Sequence, residues 1–417
     1  MIAKRTEQIW LKPNKNIGRV CHLSKNLFNQ ANYIIKQNLD KNGKWIRYNE
    51  LDKILKKESE NYKTLNTQTA QQILRLLDKS WLSYFRALKE WKKNPNKFKE
   101  IPKSPRYKKK NGEHILIFTN QQCKIKDNKI KFPKKFGLEV KIRLENETNL
   151  REIRILPKGV GYVCEIVYEK EIESKEQKDS KRIVGIDLGS KNIITMCNNI
   201  GKKPIVIKDN GKGIKSINQY FAKKYGKLQN KYSKQKIKTG KKIRQLYTKW
   251  QRKKHDYLHK LSRFIVNWCN KNKIDTIVFG YNKDWKQRSN IGRKNNQIFV
   301  NIPFMLIIQR TKYKAEEIGI KVIEQEESHT SKCSFLDKEP IEHREKYVGK
   351  RKSRNFFRSK NGRIIHADVN AGYNIIEKAI PGAIPLRTRK WIGGCGLHPI
   401  RYYLLSNKYN SNTFYGL

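Results

Sequence analysis

Ile183-Val184-Gly185-Ile186-Asp187-Leu188-Gly189-Ser190 places an aspartate near the end of an apolar run, with a glycine after it that lets the backbone turn sharply. The run reads as a buried strand, and a carboxylate at its end needs a partner or a cation; a turn aspartate is the plain alternative. A second stretch narrows the choice. Ile364-Ile365-His366-Ala367-Asp368-Val369-Asn370-Ala371 opens an amphipathic helix over Ala371 to Ala379 and puts Asp368 at its N-terminal end among small neighbours. An N-cap there is worth about 1 kcal/mol and is the simpler use of such a residue. A strand-end aspartate paired with a helix-start aspartate makes a plain cap less plausible and leaves Asp187 and Asp368 as candidate partners in one site of an α/β domain.

Outward from Asp187 the pattern alternates. A long basic helical stretch, Ile217 to Cys269, is expected to break at Gly240. It is followed by a strand at Asp275 to Phe279, a helix around Pro303 to Glu317, a strand at Lys321 to Gln325 and the helix at Asp368. Upstream, Val20, Leu23, Leu27, Ala31, Ile34 and Ile35 mark a helix between Ile17 and Leu39, interrupted by Ser24, Lys25, Asn26 and Asn29. Ala70, Ile73, Leu74, Leu77, Trp81, Tyr84, Phe85 and Leu88 mark another from Thr67 to Trp91. Short strand-like runs follow: Ile115 to Phe118, Lys124 to Phe132, Leu138 to Leu144, Arg151 to Leu156 and Tyr162 to Tyr168. A charged linker, Glu169 to Lys181, sets the main domain boundary.

The 417 residues carry 93 Lys and Arg against 37 Asp and Glu, a formal charge of +56. Self-repulsion on that scale opposes compaction unless a polyanion neutralises it, and nucleic acid is the obvious one. A codon-biased genome accounts for Lys over Arg but not for base over acid. No apolar run approaches the roughly 20 residues that cross a bilayer, and Met1 to Trp10 lacks a signal-peptide core. The expectation is a soluble, cytoplasmic, nucleoid-associated prokaryotic protein with no membrane partner. The 7 cysteines (Cys21, Cys123, Cys164, Cys197, Cys269, Cys333 and Cys395) lie far apart, so reduced thiols are expected.

The two aspartate motifs, in this order and with a basic insertion between them, resemble the RuvC domain of TnpB proteins. These are transposon-encoded RNA-guided endonucleases, the ancestors of type V CRISPR effectors. His22 to Tyr33, Ala70-Gln71-Gln72-Ile73-Leu74 and Pro105-Arg106-Tyr107-Lys108 resemble N-terminal segments of the same family, so the likeness spans roughly residues 1 to 380. An actin-like ATPase, whose phosphate loop also resembles the first motif, would need glycine loops near a second aspartate and a far smaller charge excess. The resemblance implies an α+β multidomain protein with a RuvC/RNase H-like α/β nuclease domain, a strand-rich wedge domain and a helical recognition lobe. The boundaries expected are 1–16 and 113–180 for the wedge, 17–112 for the lobe and 181–384 for the nuclease domain. The last holds a basic helical insertion at about 215–270 and a degenerate zinc-ribbon region at about 328–365, and residues 385–417 form a tail.

The resemblance also implies three carboxylates holding two Mg2+ ions. Asp187 and Asp368 match the first and last; where the family carries a glutamate, at the end of Thr276-Ile277-Val278-Phe279-Gly280, this chain has Gly280. Two readings follow. In one, cleavage is retained and Glu326 or Glu327, just past the neighbouring strand, supplies the missing ligand; strand alternation puts Glu324 and Glu326 on one face and Glu327 on the other. In the other, the protein is a nuclease-inactive RNA-guided DNA binder of the transcriptional-repressor type. The zinc ribbon is reduced to Cys333 with His329 and His343 nearby, three ligands at most, so no zinc is expected.

Guide RNA, transposon-end derived or crRNA-like, and double-stranded target DNA with a short flanking motif are the implied partners. The residues expected to bind nucleic acid are Arg106, Lys108, Lys109 and Lys110; Tyr232, Arg244, Tyr247, Trp250, Arg252, Lys253 and Lys254 on the basic helices; and Arg351 and Arg354.

Overall fold

The computed structural model describes residues 2–134, 136–145, 148–172, 181–208, 213–282, 292 and 300–404. The chain divides into two compact units, Met1–Ile172 and Glu173–Leu417.

In the first unit a four-stranded antiparallel sheet runs in the order β1 (Ile2–Leu11), β7 (Gly161–Glu171), β6 (Asn149–Lys158), β2 (Leu116–Thr119). Helices α1 (Lys15–Asn42), α2 (Tyr48–Glu58), α3 (Glu60–Thr64) and α4 (Thr67–Lys93) share a core that includes Leu27, Ala31, Ile35, Leu51, Leu55, Ile73, Leu77 and Trp81. Asn14 caps α1 by accepting from the Ile17 N–H, and Gly43, at φ 62°, ends it in the left-handed conformation. The polar interruptions of α1 are a clamp. Ser24 Oγ donates to the Ile115 carbonyl at 2.7 Å and Lys25 Nζ to that of Lys110 at 2.7 Å, while Asn29 and Asn32 amides donate to Lys108 and Pro105 carbonyls at 2.9 and 3.0 Å. They hold the 105–115 segment, which has no regular hydrogen bonding of its own, along the helix.

The single strand expected from Lys124 to Phe132 is instead a hairpin, β3 (Lys124–Lys126) and β4 (Lys129–Lys131), extended by β5 (Glu139–Lys141). Asp127 and Asn128 both take φ 53°, the left-handed pair a two-residue hairpin turn requires. Neither residue is glycine, which hides the turn in the sequence.

The second unit is built on a six-stranded sheet: β12 (Lys321–Gln325), β11 (Thr276–Gly280), β8 (Ile183–Leu188), β9 (Asn192–Asn198), β10 (Ile205–Lys208) and β16 (Ile400–Tyr402). β8, β9 and β10 form an antiparallel meander, and β11 and β12 run parallel to β8. This is the RuvC-like arrangement the resemblance implied; periodicity alone did not separate β9 and β10. One face of the sheet (Val184, Ile186, Leu188, Ile277, Phe279) packs on α6 (Lys241–Lys271) and α7 (Phe304–Glu316) through Leu261, Ile265, Ile307 and Ile308. The other (Ile183, Cys197, Val278) packs on α8 (Ala367–Ala379) through Val369, Ile375 and Ile376. Helix α8 crosses at backbone distance: a Cβ on Gly185 would lie 2.5 Å from the Gly372 carbonyl oxygen, and one on Gly372 would lie 2.6 Å from Cys197 Sγ. That close approach brings the start of α8 to the end of β8.

Helix α5 (Ile214–Lys234) and α6 are two arms meeting at Gly240, where any side chain would run into the Tyr232 ring 2.8 Å away. A small sheet of β13 (Lys350–Arg351), β14 (Phe356–Arg358) and β15 (Ile364–His366) leads into α8. The expected tail at 385–417 needs correction. Helix α9 (Leu386–Cys395) buries Thr388 and Ile392, and β16 adds a parallel strand beside β10, so residues to at least 402 belong to this unit. Gly393, Gly394 and Gly396 made the segment look non-helical; packing overrides their propensity. A Cβ on Gly396 would press on Ile365 at 3.0 Å and on the Ile392 carbonyl oxygen at 2.7 Å. Tyr409, Phe414 and Tyr415 lie outside the described residues. Among the described residues no helix is long and apolar enough to cross a membrane.

Candidate active site

The ends of β8, β11 and β12 and the start of α8 converge on the α8 face of the sheet. Asp187 lies on that face because Val184, Ile186 and Leu188 point to the other, and it faces Thr195 of β9 in register. The pairing of Phe279 with Ile186 puts Gly280 beside Asp187. Gln325 pairs with Gly280, and the chain turns two residues later at Glu327.

Gly280 has no room for a side chain. A Cβ there would lie 2.6 Å from Glu327 Oε2 and would overlap Ile375 Cδ1. The Glu327 carboxylate therefore fills the space into which a β11 side chain would grow. Its Oε2 is buried and has no hydrogen-bond partner. The turn that delivers it is tied down: the Glu327 N–H donates to Asn282 Oδ1 at 3.0 Å, and its carbonyl accepts from the Thr330 hydroxyl at 2.8 Å. Asn374 then donates to the Thr330 carbonyl, and Asn370 to that of Cys333, both at 2.8 Å, pinning the following loop to α8. Asn370 and Asn374 escaped the sequence reading, although their spacing of four on a helix marks one face.

Burial drives the Glu327 carboxyl up to about 7, with Glu326 reinforcing and Lys378 opposing. Burial also pushes Asp187 well above the ordinary carboxylate range, with the charges of Asp368 and Glu327 adding to it and Arg351 opposing. Asp368 is not the N-cap of α8: His366 is, and its Nδ1 accepts the Asp368 N–H at 3.3 Å. The Asp368 carboxylate is thereby left for other partners. Oδ2 accepts from Asn192 Nδ2 at 2.7 Å, and Oδ1 lies 3.8 Å from Arg351 Nη2.

Glu326, the other candidate for the missing ligand, is already partnered. It pairs with Lys378 at 2.5 Å and accepts from Ser328; although its slight burial acts the other way, Lys378 and Ser328 hold its carboxyl below the usual range. A carboxylate so paired and half-exposed has little call for a cation. Glu324 lies 3.8 Å from Lys312.

Asp187, Glu327 and Asp368 share one electrostatic neighbourhood without closing on one point: among the described residues no three His, Cys, Asp or Glu side chains are grouped to hold a metal ion. A divalent cation nonetheless suits them. Three carboxylates arrive from three elements, two are pushed toward the neutral form first by burial and then by the neighbouring acids, and one keeps an oxygen with no partner. In the region expected to be a degenerate zinc ribbon, Cys333 is buried with Sγ 3.8 Å from the Glu342 carbonyl, His329 Nδ1 meets the Tyr347 hydroxyl at 3.1 Å, and the His329 and His343 rings stand edge to face at 5.5 Å.

The residues expected to bind nucleic acid fall into groups. In the first unit Arg106, Lys109 and Lys110 are exposed on the clamped segment, and Lys108 sits 4.8 Å over the Phe28 ring. On α6, Arg244, Arg252 and Lys253 are exposed. The aromatic residues there pack on one another and on α5. Trp250 stacks on Phe221 of α5 at 4.4 Å and 16°, donates from Nε1 to Asn218 Oδ1 at 2.9 Å and carries Lys254 at 4.1 Å. Tyr247 packs against both rings, and Tyr232 covers Gly240. Exposed Tyr220, with Lys224 and Lys253 at 5.8 and 5.9 Å, is the open aromatic face the sequence reading passed over. Arg351 stands at the carboxylates, its guanidinium also donating to the Arg354 carbonyl at 2.7 Å, and the Arg354 side chain is exposed.

A family model described as "Probable transposase" matches residues 165–286, and one described as "Cas12f1-like, TNB domain" matches residues 304–375. Asp187 and Gly280 fall in the first match, Glu327 and Asp368 in the second. A TnpB-like protein of Acidianus two-tailed virus, ORF457, is 25% identical across 90% of this chain and 87% of its own. Among solved structures, a chain of a Cas12f1-sgRNA-target DNA complex matches 89% of this chain and 98% of its own at 16% identity and a TM-score of 0.36. The mini-RNA-guided endonuclease CRISPR-Cas_phi3 matches 92% and 93% at 10% identity and a TM-score of 0.47.

Proposed function

We propose that this chain, which belongs to the TnpB family, is an RNA-guided DNA endonuclease of the RuvC type whose missing carboxylate is supplied by Glu327 instead of by a β11 residue. The observation that carries this reading is the position of Glu327 Oε2, buried, unpartnered and 2.6 Å from where a side chain on Gly280 would begin. Relocation by one strand keeps the carboxylate on the same face and at the same end of the sheet.

Asp187, Glu327 and Asp368 would hold the divalent cations, which when bound activate water and stabilise the leaving oxygen at a scissile phosphate. Asn192 orients Asp368, and Arg351 supplies positive charge beside it, where a phosphate would also be attracted. The basic segments Arg106 to Lys110 and α5–α6 would bind the backbones of guide RNA and target DNA, while base pairing reads the sequence.

Two observations favour the second reading, a guide-dependent binder without cleavage: the three carboxylates do not close on a point, and Arg351 already lies 3.8 Å from Asp368. One experiment decides between them. RNA is recovered with the protein from expressing cells, and cleavage of matched, motif-bearing DNA is assayed with Mg2+ for the native chain, Glu327→Gln and Glu326→Gln. Loss of cutting in Glu327→Gln alone, with binding intact, supports the relocated ligand. Tight guide-dependent binding with no cutting by the native chain sinks it in favour of the binder.

A further inference from the structure

Asn192 opens β9 and is sealed from solvent, 2% exposed. Its amide nitrogen is used, donating to Asp368 Oδ2; its carbonyl oxygen Oδ1 is buried with no partner. Turning the amide over would not relieve this, because two oxygens would then face each other at Asp368. An unpaired buried acceptor costs about 1–3 kcal/mol, and such a group calls for an explanation such as an unfilled ligand position. Thr195, three residues along the same strand and directly across from Asp187, repeats the pattern: it is 1% exposed and its hydroxyl is orphaned. With Glu327 Oε2, three orphaned oxygens belong to residues tied to the two aspartates: Thr195 pairs with Asp187 across the sheet, Asn192 donates to Asp368, and the charge of Glu327 acts on Asp187. A core position needing only to be filled would take an apolar residue, as Ile193, Ile194 and Met196 do beside them.

We propose that Asn192 is a further ligand of this site: its Oδ1, a neutral hard oxygen of the kind Mg2+ and Mn2+ accept, binds the divalent cation directly or through a bound water, while Nδ2 keeps Asp368 turned to the same ion. The proposal rests on the reading of Asp187, Glu327 and Asp368 as a divalent-cation site. The second role, donation to Asp368, is separable from the first by substitution, because aspartate keeps the oxygen and loses the donor, whereas leucine loses both.

The test is direct binding of Mn2+ to the full chain, followed by the electron paramagnetic resonance signal of the free ion, with no nucleic acid and no cleavage readout. Asn192→Leu is expected to weaken binding about 10–100-fold, and Asn192→Asp to stay within a few-fold of the native chain. If the leucine variant does not fold, Asn192→Ser, with a hydroxyl too short to reach, takes its place. Equal binding by the native and leucine (or serine) chains overturns the proposal, and so does equal weakening in the leucine and aspartate variants, which would leave the amide as a donor to Asp368 only. A native chain that binds no Mn2+ overturns the cation-site reading itself, and this inference with it.

Discussion

The carboxylate end of the large sheet and the α5–α6 hairpin carry the same kinds of side chain that a sequence reader assigns to function, yet they treat them oppositely. In the hairpin, polar and aromatic groups complete one another: Trp250 is stacked on Phe221, its N–H is bonded to Asn218, and Tyr232 closes over Gly240. At the carboxylate end Asp187 is buried beside two other acids, and Glu327 Oε2, Asn192 Oδ1 and Thr195 Oγ1 have no partners. Residue type does not separate the two regions. Satisfaction does: in the hairpin the groups finish one another and hold the fold, whereas those at the carboxylate end, on the cation-site reading, are left for a partner outside the chain.

The largest expected effect lies at Asp187. Asp187→Asn should abolish Mg2+-dependent cleavage while raising the melting temperature of the chelated protein, because it removes a buried acid that its neighbours disfavour. Trp250→Ala should do the reverse, lowering the melting temperature and leaving cleavage measurable, since the ring is a strut between helices. Thermal melts and a cleavage assay on the pair check this. A melting temperature that falls in Asp187→Asn would break the distinction between the regions.

Next in size is the packing of Gly280. Gly280→Ala should destabilise by about 1–3 kcal/mol, the usual range for overpacking, since the added methyl meets Glu327 Oε2 and Ile375. Glu327→Ala removes one of these obstacles, so the double variant should be more stable than the sum of the single changes allows. Urea denaturation of the four chains gives the coupling. Additivity within roughly 0.3–0.5 kcal/mol would mean that Glu327 does not fill the Gly280 space.

The same contrast explains what was legible in the sequence. Asp187 and Asp368 could be read because strand ends and helix starts are local patterns, and the absence at Gly280 was plain. Which glutamate compensates was left between Glu326 and Glu327, because that depends on how the chain turns after Gln325 and on Lys378 capturing Glu326, a contact 52 residues away. The packing of Trp250 was not legible for a related reason: stacking on α5 is a tertiary event that helix periodicity does not encode. Nothing in the local pattern marks Asn192, whose significance appears only when both ends of its amide are accounted for. Helix α9 was hidden by Gly393 and Gly394, whose low propensity is outweighed by the burial of Ile392.

A smaller effect sharpens the hairpin side. Arg244 and Lys253 are exposed on α6 and suit phosphate contacts. Replacing either with Ala should weaken nucleic-acid binding without regard to sequence and lower the slope of log affinity against log salt by about 1. Mn2+ binding should be unchanged, as neither residue belongs to the carboxylate site. Filter-binding titrations at several salt concentrations measure the slope; an unchanged slope in both variants would remove α6 from the interface.

The smallest effect is in the pH dependence of stability, where the two regions should pull in opposite directions. His259 of α6 is held down to about 3 by burial first and then by Arg310, His255, Lys314 and Arg263. Its folded value lies below the ordinary 6.5, so as pH falls through 6.5 the unfolded chain takes up the proton first and stability is lost. Glu327 behaves in the contrary sense. Its folded value of about 7 lies above its ordinary 4.5, so the penalty of its buried charge is present above 7 and disappears as pH falls toward 4.5. Between pH 7 and 5 the gain at Glu327 partly offsets the loss at His259. Glu327→Gln removes the gain and keeps the loss, so its melting temperature, measured in chelator, should fall more steeply over that window than that of the native chain. Parallel profiles would mean that Glu327 is solvated and free of the electrostatic cost assigned to it here, and the contrast between a finished hairpin and an unfinished carboxylate site would then rest on Asp187 and Asn192 alone.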